Sequence, residues 1–161
     1  MNEKFVVDGM LGSLARKLRI FGYDTVYDVK IGDEEILKTA QKEGRTVLTS
    51  DRMLFQTASK KKVDCILLTE DSDEDRLVTV FKDIWSEAKR LNPQVARCAV
   101  CNGAVVKVDK AEVANVVPEG VLKTQEEFFR CGSCSKVYWI GGHWRRLYEL
   151  SESVNRRLQQ A

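Results

Sequence analysis

Up to Leu91 the apolar positions alternate between two rhythms, a short continuous run and a three-to-four-residue spacing. Lys4 to Val7 is a β-prone run that ends at Asp8-Gly9, which predicts a strand followed at once by a turn. Met10, Leu11, Leu14, Ala15 and Leu18 recur at helical spacing, with Ser13, Arg16, Lys17 and Arg19 mostly on other faces and Gly22 closing the helix. Asp24 to Tyr27 reads as a second strand. Asp33 is expected to cap a helix through Glu43, with Glu34 and Glu35 in its positive first turn and Gly44 beyond its end. Thr46 to Thr49 predicts a third strand that leads to Asp51, followed by a short helix to about Ala58 and the basic turn Lys60 to Lys62. Val63 to Leu68 is the fourth strand. Ser72-Asp73-Glu74-Asp75 has the form of a capping box opening a long amphipathic helix to about Leu91, which Asn92-Pro93 stops. Strands alternating with helices at short intervals predict an α/β domain with a parallel sheet covered on both faces.

After Pro93 the pattern changes, so the boundary is expected there, with one domain over residues 1–93 and a second over 94–161. The second part carries Cys98-x-x-Cys101 and Cys131-x-x-Cys134, with 29 residues between the pairs. A CxxC turn sets two thiolates on one side of a tight loop, and two such turns facing each other form the tetrahedral sulfur shell that zinc prefers. Val105 to Val108 and Lys136 to Ile140 read as strands of a zinc ribbon, with Gly103 and Gly132 where the backbone comes close. With all four positions filled by protein, such a zinc is structural, and it offsets the poor core of a small module. A final helix is expected from about Arg145 to Leu158.

Composition narrows the chemistry. Of 161 residues, 43% are hydrophobic and 31% charged, which supports a packed core. The net charge of +2 neither requires nor excludes nucleic acid. No apolar run approaches the roughly 18 residues that cross a membrane, and Met1 to Lys4 does not open a signal peptide. A reducing cytoplasm is therefore expected, where paired cysteines read as metal ligands before disulfides. The fifth cysteine, Cys65, falls in an apolar strand and reads as a buried small hydrophobe. His143 is the only histidine, so Ser-His-Asp or Cys-His catalysis has little to work with.

Asp8 and Asp51 both follow apolar strands, and a parallel sheet brings strand C-termini to one edge. Asp33, with Glu34 beside it, opens a helix expected on the same side. Carboxylates gathered at one edge repel unless a hard cation such as Mg²⁺ or Mn²⁺ neutralises them, and that ion suits phosphodiester hydrolysis. Taken singly, each acid reads as a helix cap or a turn anchor. Taken together, the residues leave the cation site and the capping roles evenly balanced.

The run Asp8-Gly9-Met10-Leu11-Gly12-x-Leu14-Ala15-Arg16-x-Leu18-Arg19, then Thr49-Ser50-Asp51, then the two cysteine pairs with Val137-Tyr138-Trp139-x-Gly141-x-His143-Trp144, resembles the Mut7-C family across nearly the whole chain. The resemblance implies a PIN-like ribonuclease domain with a central parallel sheet, a zinc ribbon, and a carboxylate-bound Mg²⁺ or Mn²⁺ that cleaves RNA. It implies Asp8, Asp33 and Asp51 as the metal-holding acids, with Glu34 a substitute and Thr49 part of the Thr/Ser-x-Asp motif. The chain departs from the family at Lys17, where an aromatic residue is usual, and at Ser50, where a basic one is. A fourth acid, usual in PIN nucleases, is not obvious; Asp71 and Asp73, after the fourth strand, are candidates, against which a solvated capping role weighs at least equally. Arg16, Arg19 and Arg52 are candidates for phosphate contacts beside the metal, and Tyr138, Trp139, His143 and Trp144 for contacts to unpaired bases. Against this stand solvated helix faces and aromatics that simply pack the zinc module. The expected partner is RNA, single-stranded or structured, with a ribosome or other RNA-processing partner as an extension. A non-catalytic RNA- or ribosome-binding module is the competing reading, and a partner-docking zinc ribbon a third.

Overall fold

The computed structural model describes residues 3–86, 88 and 91–161. Four short strands, β1 (Phe5–Val7), β2 (Thr25–Tyr27), β3 (Thr46–Thr49) and β4 (Cys65–Leu67), form one parallel sheet in the order β2-β1-β3-β4. Val6 stands between Val26 and Val47, and Leu48 pairs with Ile66. Four helices connect and cover these strands: α1 (Gly12–Ile20), α2 (Asp33–Glu43), α3 (Arg52–Lys60) and α4 (Asp73–Asp83).

Successive strand side chains point to opposite faces, so each strand feeds two cores. Phe5, Val7 and Leu48 pack with Leu14 and Leu18 of α1 and Leu77 and Phe81 of α4. Val6, Val47 and Cys65 pack on the other face with Ile36, Leu37 and Ala40 of α2 and Leu54 of α3. Strands buried on both sides explain why the sequence shows continuous apolar runs there and not alternation. Burial pushes the Cys65 thiol up to about 12, so it remains protonated in this core.

The second sheet is antiparallel, with β5 (Val105–Val108), β6 (Phe128–Cys131) and β7 (Val137–Trp139) in sequence order. Two short helices, α5 (Lys110–Val113) and α6 (Glu119–Thr124), occupy the link between β5 and β6, and Val113, Val117 and Phe128 form its small core. The sequence reading assigned no elements between Val108 and Cys131. A long helix, α7 (Gly142–Gln159), then returns to the parallel domain and lays Leu147 and Val154 into the core beneath α1 and α4. It begins before the expected Arg145, which brings His143 and Trp144 into its first turn.

Two expected boundaries are corrected. Helix α4 ends at Asp83 and not near Leu91; of the predicted extension, Glu87, Lys89 and Arg90 lie outside the described residues. The chain closes with the Ser86 amide donating to Phe81 O (3.0 Å), the Trp85 amide to Lys82 O (3.2 Å), and Trp85 at φ 55°, a left-handed Schellman-type end. Asn155 of α7 then takes both backbone groups of Ala88, accepting from its amide (2.9 Å) and donating to its carbonyl (3.1 Å). Those are the groups a continuing helix needs. The second correction concerns α2, whose N-cap is Gly32, leaving Asp33 as the first helical residue with no capping bond.

Candidate metal centres and nucleic-acid groove

The strand order reverses at β1: the chain moves from β1 out to β2, then returns to the other side of β1 as β3. In open parallel sheets the crevice at such a switch point, beyond the strand C-termini, is where ligands bind. Asp8 follows β1 and Asp51 follows β3. Thr49, the last residue of β3 and fully buried, links them: its hydroxyl donates to Asp8 Oδ2 (2.8 Å) and accepts from the Asp51 amide (2.9 Å). Asp51 also caps α3, its Oδ1 accepting from the amides of Met53 (2.7 Å) and Leu54 (3.4 Å). One oxygen on Asp8 and one on Asp51 are left over for another partner.

Asp33 joins these two through the electric field. Partial burial, then the charges of Asp8 and Asp51, hold its carboxyl above the usual range. Since α2 is capped by Gly32, no hydrogen bond compensates it. Glu34 is exposed and, one residue along the helix, points about 100° away. A cation placed among Asp8, Asp33 and Asp51 would relieve their repulsion, and three hard oxygen donors fit Mg²⁺ or Mn²⁺. Close packing at the Asp8 turn supports the edge. Tyr27 donates its hydroxyl to Gly9 O (3.0 Å), and a Cβ on Gly12 would meet that hydroxyl at 2.5 Å. Tyr27 escaped the sequence reading; the Gly9/Gly12 pair was the only trace of it.

The candidates for a fourth acid are otherwise engaged. Asp73 accepts from Lys17 and Ser13 (2.7 Å each) and from Arg76 (3.0 Å); these partners outweigh its burial and hold its carboxyl below the usual range. Asp71 is exposed. Glu70, which precedes it, holds Thr79 through one oxygen, and its other oxygen is buried with no partner.

The cysteines form a closed set. Ligand atoms of Cys98, Cys101, Cys131 and Cys134 all lie within 4.8 Å of one another, the one such group of three or more metal-binding side chains among the described residues. The acids at the sheet edge are not gathered that tightly. Sulfur separations of 3.5 Å (Cys98–Cys134) and 3.4 Å (Cys101–Cys131) approach the roughly 3.8 Å edge of a tetrahedron with 2.3 Å Zn–S bonds. The two knuckles are built alike. The Asn102 amide returns to Cys98 O (2.9 Å) and the Ser135 amide to Cys131 O (3.0 Å), with both residues at φ 67°. A Cβ on Gly103 would strike Ser133 Oγ at 2.8 Å and Cys131 Sγ at 2.9 Å, so the facing knuckles require glycine there. Gly132 meets no such limit. Burial opposes ionisation of Cys98, but the Tyr138 hydroxyl and nearby amides outweigh it and bring the thiol down to about 6. These four residues can hold a metal ion such as zinc.

Arg19 is a correction. The sequence placed it among the phosphate contacts, but it is 4% exposed and donates to Thr25 O (2.9 Å), Ala99 O (2.9 Å), Val100 O (3.1 Å) and Tyr27 O (3.4 Å). It ties the first knuckle to β2. Asn102 reinforces the tie, accepting from the Thr25 amide (3.1 Å) and donating to Asp24 (2.8 Å). Arg16 and Arg52 remain exposed, Arg52 immediately after Asp51.

This arrangement can be set beside known sequences. The chain matches the model of the Mut7-C RNAse domain over residues 3–151. It belongs to the Mut7-C family. A search of curated proteins found no match. The Mut7-C match spans the parallel domain, the cysteine cluster and the first half of α7, and its name places the chain in a ribonuclease-related family with RNA as the substrate class.

Apart from the acids, this Mut7-C chain has an open groove of about 590 Å³ between α1, the ribbon and the start of α7. Arg16, Trp139 and His143 all line it, whereas Thr49 and Arg52 belong to the acid edge. No helix among the described residues is long and apolar enough to cross a membrane.

Proposed function

We propose that this Mut7-C chain is an endoribonuclease whose Mg²⁺ or Mn²⁺ is held by Asp8, Asp33 and Asp51, with a structural zinc in the four-cysteine site. The observation that carries this reading is the hydrogen-bonded edge at the switch point, where the Thr49 hydroxyl donates to Asp8 (2.8 Å) and accepts from the Asp51 amide (2.9 Å). Burial first, and then the charges of Asp8 and Asp51, raise the Asp33 carboxyl, and a cation shared by the three acids would relieve that strain. A divalent ion there supplies charge neutralisation for a phosphodiester and makes water a better nucleophile. The chain's own residues supply position. Thr49 fixes the Asp8 carboxylate, the α3 cap fixes Asp51, and α2 presents Asp33 without competing bonds. Arg16 and Arg52 stand exposed to hold phosphates, and Glu34 is near enough in sequence to replace Asp33 after a helix adjustment. Water attacks phosphorus, the P–O3′ bond breaks, and the proton ends on the departing 3′-oxygen, giving 5′-phosphate and 3′-hydroxyl ends.

The test incubates zinc-loaded protein with mixed RNAs and Mn²⁺ or Mg²⁺, comparing wild type with Asp8→Asn and Asp51→Asn. Loss of an acid from a metal site worth several kcal/mol should slow cleavage by about 10²-fold or more. Equal cleavage in all three proteins, or cleavage that persists without added divalent metal, rejects the assignment. RNA binding with no cleavage under any condition would make the chain an RNA-binding module instead.

A further inference from the structure

The groove beside α1 has a composition that the acid centre does not explain. One wall is the stripe Ser13, Arg16, Lys17 and Ile20, residues three and four apart on a single face of α1. Facing it are Tyr138 and Trp139 of β7, then His143 and Trp144 in the first turn of α7. Among the described residues, four cations line the groove (Arg16, Lys17, Arg97 and Lys136) and no aspartate or glutamate does. Lys17 is committed to Asp73 (2.7 Å), and Arg97 stands 4.0 Å from Asp24. Arg16 is exposed with no ion pair or hydrogen-bond partner among the described residues, and Lys136 lies 5.4 Å from the centre of the Tyr138 ring. Helix α7, 18 residues long, opens onto the same space with Gly141 as N-cap, no side-chain acceptor for its first amides, and no acid in its first turn. Its positive end adds to the field.

We propose that this groove binds a single-stranded segment of RNA, with phosphates on Arg16, Lys136 and the α7 amides and unpaired bases against Trp139 and Trp144. The proposal rests on the RNA-cleaving reading for the identity of the strand, and it adds where the strand lies. Aromatic faces beside uncompensated cations are the pairing that single strands use, because only unpaired bases offer their faces for stacking. A volume of about 590 Å³ is the size of a small-molecule site and has room for a short stretch of unpaired nucleotides. The stripe on α1 begins at Ser13, one turn beyond the Asp8 edge, so a strand lying along it leads toward the acids.

The test is binding, kept apart from cleavage. Zinc-loaded full-length protein, without added Mg²⁺ or Mn²⁺, is titrated into a short fluorescein-labelled oligouridylate at several salt concentrations. Arg16→Glu/Lys136→Glu should weaken binding by about tenfold or more and reduce the salt slope by about 1.4, since each lost phosphate contact on a single strand removes about 0.7. Lys60→Glu/Lys61→Glu, the same charge change at the far end of α3, should leave both nearly unchanged. Zinc content is measured on each protein; if the double variant loses metal, Arg16→Glu alone decides, with half the change in slope. Equal affinity in wild type and groove variant, or an equal loss in the Lys60/Lys61 control, overturns the proposal. So does polyglutamate binding as tightly as RNA and failing in the same variant, which would give the groove to an acidic peptide. Because binding is read without added divalent metal, an absence of catalysis and an absence of the groove function read out separately.

Discussion

In the ribbon, four sulfur atoms lie within 4.8 Å of one another, and each pair is set by a knuckle whose own backbone closes it. At the sheet edge, Asp8, Asp33 and Asp51 come from three elements, and what joins them is a buried threonine, a helix cap and a shared field. The first cluster is local chemistry repeated twice. The second draws on the ends of two parallel strands and the start of α2, which the sheet carries to one edge. A closed four-sulfur shell leaves no position for substrate, whereas an edge of partly solvated carboxylates does. Proximity therefore distinguishes a closed ligand shell from an open group of acids.

Removing a zinc ligand is the strongest way to test the contrast. Cys98→Ser or Cys131→Ser should abolish a stoichiometry of about one zinc per chain and unfold the ribbon, since structural zinc contributes on the order of 10 kcal/mol to such modules. Metal analysis and the dispersion of amide resonances from the ribbon measure both. A ribbon that stays ordered without metal would erase the distinction drawn above.

Arg19→Met comes next. It leaves the carbonyls of Ala99, Val100 and Thr25 without their buried donor, and should cost about 3 kcal/mol in chemical denaturation. An effect near zero would mean that the ribbon does not depend on its tie to β2. Thr49→Val is smaller, about 1 kcal/mol of stability for the hydrogen bond to Asp8. Its larger mark should be on divalent-metal affinity, read by calorimetry.

The smallest effect has an unusual sign. Folding raises the Asp33 carboxyl above its ordinary value, so the ionised group destabilises the fold at neutral pH. That penalty is relieved as pH falls through the raised value, and is gone below the ordinary carboxylate range. Asp33→Asn should therefore melt slightly higher than wild type in metal-free buffer near neutrality, and the two should converge in acid. Added Mn²⁺ should favour the wild type. A variant that melts lower at neutral pH would show that Asp33 is a structural acid and not a strained one.

Much of this was readable along the chain because it depends on short spacings. The apolar runs of β1 and β3, the period of α1 and α2, and both CxxC pairs are set within a few residues. Arg19 shows where such reading stops. Beside Arg16 and Lys17 it looks like one more surface cation, yet it is buried because the first knuckle, some eighty residues later, offers it two carbonyls. The end of α4 makes the same point: its apolar period continues through Ala88 and Leu91, but Asn155 claims the backbone of Ala88 and the helix stops at Asp83.

By itself the sequence determined the four parallel strands, the helices between them and the four thiols, since hydrophobic period and turn chemistry act over distances shorter than one helix. Only the tertiary structure decided which charges face a ligand. It sealed Arg19 inside, opened Arg16 and Lys136 onto a groove that no acid among the described residues lines, and brought Asp33 within the field of Asp8 and Asp51. The physical reason is that burial and Coulomb energy depend on separation in space, and for these residues that separation is set by contacts between segments far apart along the chain.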